Sequence, residues 1–175
     1  HYYDFLNIAS GAYSPLTGFL SQNDFLKVVN DMTLEEGTPW TLPIVLDIGT
    51  TKANEISPGD RVGLLGPDGE KVGLLDTEEV YRYNGEEAAE KVFGTSDRDH
   101  PGVEMFLEKG PFFVGGDIKA FNTADGMDDK HFLKPMESRV LFNHKGWDTV
   151  VGFQTRNVPH RAHEYLQKSA LEQTD

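Results

Sequence analysis

Short apolar runs broken by Gly, Pro and Asp fill most of the first two thirds of this chain, and helical spacing appears there only in brief stretches. That pattern predicts strands and turns with few helices. TLPIVLDI (41–48) is a β-branched run led by proline. DRVGLLGPDGEKVGLLDTEEVYRY holds two apolar pieces joined by GPDGE, where Pro and Gly preset the dihedrals of a hairpin turn. FFVGG and IKAFNT read as two further short strands. Helices are expected in SQNDFLKVVNDM, with Ser21 as cap and Phe25, Val28 and Val29 on one face, in GEEAAEKVFG and in HPGVEMFLEKG. The expectation is a β-rich α+β domain built as a partly closed barrel.

The pattern changes after NTADGMDDK, a Gly- and Asp-rich stretch that reads as a linker, and a domain boundary is expected there, dividing 1–127 from 128–175. KPMESRVLFNHKGW predicts a helix from about Pro135 to His144, with proline at its start and Gly146 at its end. DTVVGF is an apolar run of the kind found in buried parallel strands. From about Pro159, PHRAHEYLQKSALEQ sets Ala162, Leu166 and Ala170 on one helical face, with Asn157 or Val158 as the expected cap. Helix, strand, polar loop, helix is the opening of a doubly wound, Rossmann-like α/β domain, in which ligands bind beyond the carboxyl ends of the strands.

Composition narrows the classes. The chain has 175 residues, 38% hydrophobic and 26% charged, enough for one domain and a fraction with a real core. There are no cysteines, which removes disulfides and thiolate metal sites. No apolar run reaches the roughly 18 residues of a membrane span. The net charge of −13 disfavours a general nucleic-acid or anionic-membrane surface. It is also uneven: residues 1–127 hold 9 basic and 22 acidic side chains, and residues 128–175 hold 7 of each.

Against that background, Gln154 to His163 concentrate two arginines, two histidines, a Gln, a Thr and an Asn in ten residues. A loop leaving a strand end and opening a helix offers free N–H groups and a positive dipole end to an anion. His160 and His163, three apart, project from one side of the first turn. Arg156 adds a planar fork suited to phosphate or sulfate oxygens. Two histidines at this spacing are alone more often surface groups than a site, and no third ligand lies nearby to make a zinc site. Strand end, loop, helix start and histidine pair together point to polyanion binding and to phosphoryl or nucleotidyl transfer, which needs positioning and charge stabilisation. SPLTGF, His100 and His144 are expected to be structural, and the acidic runs to be solvated faces.

FQTRNVPHRAHEYLQK resembles the signature of the ATP sulfurylase (sulfate adenylyltransferase) family, Gln-x-Arg-Asn-Pro followed by His-x-x-His. ASGAYSPLTGFLSQNDF (9–25) resembles the family's N-terminal motif, and DHPGVEMFLEKGPFFVGG (99–116) its His-Pro-Gly-Val segment. Val158 stands where many members have proline, with Pro159 next. The resemblance implies a PUA-like N-terminal domain followed by a nucleotidyltransferase domain. It implies a transferase that converts MgATP and sulfate to adenosine 5′-phosphosulfate and pyrophosphate, the activation step of sulfur assimilation or dissimilation, with Mg2+ arriving as MgATP. By position, Gln154, Arg156, Asn157, His160 and His163 would bind substrate, and Thr155, Arg156, Asn157, His160 and His163 would form the catalytic set. The histidines would stabilise phosphate charge as pyrophosphate leaves, and sulfate, already an anion, needs no general base.

The resemblance further implies ATP and sulfate as partners without nucleic acid or membrane, a cytoplasmic location and a homo-oligomeric parent enzyme. Members of the family continue past this sequence, so the 175 residues are expected to be part of a longer enzyme and inactive alone. Two other readings remain open at this point: a related His-x-x-His nucleotidyltransferase with a different acceptor, and a PUA-like RNA-binding module without catalysis, which the acidic charge opposes.

Overall fold

The computed structural model describes residues 1–121 and 133–175. In chain order the elements are α1 (Tyr2–Ala9), β1 (Gly18–Phe19), α2 (Gln22–Asp31), β2 (Leu46–Ile48), α3 (Thr50–Glu55), β3 (Arg61–Leu65), β4 (Lys71–Arg82), α4 (Gly85–Phe93), α5 (Pro101–Leu107), β5 (Phe112–Ala120), α6 (Pro135–Lys145) and α7 (Arg161–Leu171). They fall into two units, His1–Lys130 and His131–Asp175. The boundary expected at residue 127 lies outside the described residues.

In the first unit the hairpin signal holds: β3 and β4 pair antiparallel on either side of GPDGE, with Gly69 at φ +79° in the turn. The helices start and stop where their caps allow. Ser21 Oγ accepts the Asp24 N–H at 3.1 Å to open α2, and Asn84 Oδ1 accepts the Glu87 N–H at 3.3 Å to open α4. His100 proves structural: its Nδ1 accepts the Gly102 N–H at 3.1 Å, and its ring leans on Phe93 with centroids 5.3 Å apart.

The sheet is antiparallel throughout, in the order β1-β5-β4-β3, with β2 also on β5. Among the described residues β3 and β1 do not pair, so the sheet is open between them. FFVGG and IKA, expected as two strands, form the single strand β5, whose length carries three neighbours. Of TLPIVLDI only Leu46–Ile48 are in a ladder, the proline end running free of one. The helices α1 and α3 were not foreseen. α1 is short and its only side-chain order is the pair Phe5 and Ile8, which gains meaning through burial against the sheet.

Two apolar clusters lie on opposite faces of this sheet. Neighbouring residues of a strand point opposite ways, and Phe113 belongs to one cluster while Val114 belongs to the other. The first joins α2, α4 and α5 through an aromatic group around Phe113, stacked on Tyr83 at 3.8 Å. The second joins α1 to Phe19, Ile44 and Leu75. β4 serves both faces, with Leu75 in the second cluster and Tyr81 in the first. Six residues apart, these would share a face in a regular strand. A bulge makes the difference: the register shifts between Thr77 and Glu79, so Glu78 is an extra residue and the alternation inverts. Gly116, at φ +148°, lies opposite the bulge.

In the second unit α6 runs from Pro135 to Lys145 and ends on Gly146 in the left-handed conformation, with His144 in its last turn. The strand expected in DTVVGF is corrected by the structure. Residues 148–153 form no ladder among the described residues, and Val150, Val151 and Phe153 are 51%, 47% and 42% exposed. A parallel strand takes its hydrogen bonds from neighbours contributed elsewhere, and no described strand lies beside this one. Two of its N–H groups go instead to the Asp175 carboxylate, Asp148 at 2.9 Å and Thr149 at 2.8 Å. Those bonds hold the Asp175 carboxyl below its usual pKa.

Candidate active site

The loop that leaves Phe153 is shaped by Thr155. Its Oγ1 accepts the Asn157 N–H at 3.1 Å and donates to the Asn157 carbonyl at 3.2 Å, a hydroxyl-closed turn that sets the direction of the chain into α7. The helix then begins about two residues later than expected, at Arg161 rather than Pro159. Neither Asn157 nor Val158 is the cap, and Pro159 precedes the helix: His160 is the N-cap, extended at φ −138° and ψ 179°. Its Nδ1 accepts the Ala162 N–H at 3.2 Å, and the His163 Nδ1 reaches back to accept the His160 N–H at 3.1 Å. This is a capping box with imidazoles in place of the usual hydroxyl and carboxylate. Histidine is not among the favoured cap residues, which is why the sequence placed the cap earlier.

The two rings lie 3.9 Å apart between centroids, and the Phe153 ring meets His163 edge-on at 6.0 Å. Phe153 was not expected at the site; its only signal was its place at the root of the loop. Gln154, Thr155, Arg156, Asn157 and His160 are exposed and His163 is half-buried. Lys168 is taken up by Glu164 at 2.6 Å, whereas no described residue pairs with Arg156 or Arg161. The loop and the helix start thus carry two exposed arginines, the exposed His160 and the half-buried His163, groups suited to a phosphate chain or a sulfate.

The first unit has a cleft of about 470 Å3, lined by Asp24, Glu35, Glu36, Glu78 and Asp117 and by no Lys or Arg. Five carboxylates repel anionic substrates, so the cleft is unsuited to the chemistry the loop supports. Among the described residues no group of three or more His, Asp or Glu is placed to hold a metal ion, and no helix is long and apolar enough to cross a membrane.

Comparison with known proteins agrees with the motifs. Residues 1–123 match the family model of the PUA-like domain, and residues 129–175 match that of ATP-sulfurylase. Over residues 1–123 the chain belongs to the PUA-like domain family. It is 48% identical over 168 residues to a sulfate adenylyltransferase of Pyrococcus abyssi, covering 96% of this chain and 43% of that relative. It is 43% identical over 172 residues to one of Staphylothermus marinus, covering 98% and 45%. With one of Chloroflexus aurantiacus it shares 44% over 174 residues, covering 99% and 45%. The chain thus spans less than half the length of these curated relatives. A solved structure, a hexameric APS kinase from Thiobacillus denitrificans, covers 97% of this chain and 30% of its own with a TM-score of 0.66 and 24% identity, and so shares the fold. The residues from Gln154 to His163 all fall within the ATP-sulfurylase match.

Proposed function

We propose that this chain is part of a sulfate adenylyltransferase that joins MgATP and sulfate into adenosine 5′-phosphosulfate and pyrophosphate. The observation that carries the reading is the start of α7, where the His160 and His163 ring centroids lie 3.9 Å apart, three residues beyond a loop that holds the exposed Arg156. A sulfate oxygen attacks the α-phosphorus, the bond from that phosphorus to the bridging oxygen breaks, and the electron pair leaves with pyrophosphate. Sulfate brings its own charge, so no proton has to be removed. What the reaction demands is that two anions meet and that charge growing on the leaving group be held. Arg156 and Gln154 orient sulfate and phosphate oxygens, Thr155 and Asn157 hold the loop to its course, and the two imidazoles donate to the departing phosphates. Mg2+ comes with the ATP as part of the substrate and neutralises phosphate charge there.

The parent enzyme is placed in the cytoplasm, where ATP is made available, and is proposed to be a homo-oligomer, which light scattering on the complete protein tests. Kinetics of His160→Ala and His163→Ala in the complete enzyme test the function. Each should lower kcat by about 10²- to 10³-fold with a smaller rise in the KM for ATP, because the lost interaction is made in the transition state. Changes below about threefold in both variants would remove the histidines from the mechanism. Pyrophosphate exchange into ATP that persists without sulfate would point to a different acceptor.

A further inference from the structure

We propose that His160 and His163 are positioning residues for each other: their reciprocal capping box fixes both imidazoles in the tautomer with the proton on Nε2, and Phe153 braces the His163 ring. Each Nδ1 accepts a backbone N–H, from Ala162 at 3.2 Å and from His160 at 3.1 Å, and an atom that accepts such a bond carries no proton of its own. The remaining proton of each neutral ring is then on Nε2, at the far edge from the helix backbone. A ring on a freely rotating side chain would present either nitrogen in any direction. Here two backbone bonds settle both tautomers, and the Phe153 ring, its centroid 6.0 Å from that of His163 and nearly perpendicular to it, holds the plane of the second.

The chain gives up cap strength for this. Ser, Thr, Asn or Asp at position 160 and Glu or Gln at position 163 would open the helix better. Imidazole does the same job with Nδ1 and has a second nitrogen left over, which the hydroxyl and carboxylate boxes lack. The result is a pair of N–H donors aimed outward before any ligand arrives, which is how a preorganised site avoids reordering during reaction. The catalytic consequence rests on the adenylyl-transfer reading given above; the tautomers do not.

The test begins with the 175-residue chain itself, labelled with 15N and observed through long-range proton–nitrogen correlations of the imidazole rings at mildly alkaline pH. Both rings should show an unprotonated Nδ1 and a protonated Nε2, assigned by comparison with His160→Asn and His163→Gln. His163→Ala should return the His160 signals to the averaged pattern of a free side chain, and His163→Gln, which restores an acceptor for the His160 N–H, should bring the fixed pattern back. An Nδ1–H signature in either ring, or averaged signals in both, overturns the proposal whatever the kinetics. In the complete enzyme Phe153→Ala should lower kcat about tenfold with the KM for ATP within about twofold, and Phe153→Tyr, which keeps the ring, should recover most of it. Fixed tautomers with unchanged turnover in all the histidine variants would leave the box standing and sink the adenylyl-transfer reading of this site.

Discussion

Replacing Gly116 by alanine should unfold the first unit far more readily than a single methyl group suggests. A Cβ at this position would stand 2.1 Å from the Asp76 carbonyl oxygen and 3.0 Å from the Glu78 amide, both backbone atoms of the bulged strand. Neither can swing aside as a side chain could, so relief requires the β4–β5 ladder to part. Overpacking of this kind costs about 1–3 kcal/mol. The backbone at φ +148° adds about 1–3 kcal/mol for any residue with a Cβ. Together the loss is about 2–6 kcal/mol, a large part of the stability of an ordinary domain. Gly63, on β3, is the control: a Cβ there meets nothing within 4 Å and its φ is not positive, so Gly63→Ala should be neutral or stabilising by up to about 1 kcal/mol. Urea unfolding followed by far-UV circular dichroism measures both, with the slope checked for constancy. If Gly116→Ala lies within about 0.5 kcal/mol of the unchanged chain, the bulge does not invert β4 as described.

Burial, aided by Asp47, raises the Tyr83 hydroxyl to about 12, so a spectrophotometric titration should show a late step there. A raised acid contributes stability that is complete below its unfolded value near 10 and is lost as pH climbs through the folded one, so the first unit should weaken in that alkaline window. Asp76, held at about 2 by hydrogen bonds from Arg61 and then Lys119, gives the opposite sign: its contribution is present above the unfolded carboxylate range and disappears as pH falls toward 2, and Asp76→Asn should flatten the acid limb of a stability profile. Residues 1–127 expressed alone should unfold cooperatively with the midpoint of the same unit in the longer chain; a broad, non-cooperative melt would show the division to be misplaced. The 175-residue chain should release no pyrophosphate from MgATP and sulfate above background in a coupled assay, because its motif is exposed and supplies only one wall of a site, and sustained turnover would refute this.

Local chemistry was legible in the sequence because it acts through near neighbours. Ser21, the GPDGE turn, Pro135 and Gly146 each act within a few residues of themselves, and the elements they bound appear where expected. The concentration of cations and imidazoles between Gln154 and His163 was legible for the same reason, and with it the likeness of this stretch to ATP-sulfurylase. What pairs with what was not. The bulge at Glu78 depends on β5 lying alongside, and only that pairing sends Leu75 and Tyr81 to opposite cores. α1 is a helix because Phe5 and Ile8 have a sheet to bury against. The run 148–153 has the composition of a buried strand, yet a strand exists only with a neighbour, and none is described beside it. At the site, spacing put His160 and His163 on one side of a helix, but which atom of each ring faces the backbone was decided by where the helix begins. That start moved to His160 because the His163 ring folds back onto the His160 N–H, a contact made in three dimensions that no residue preference announces.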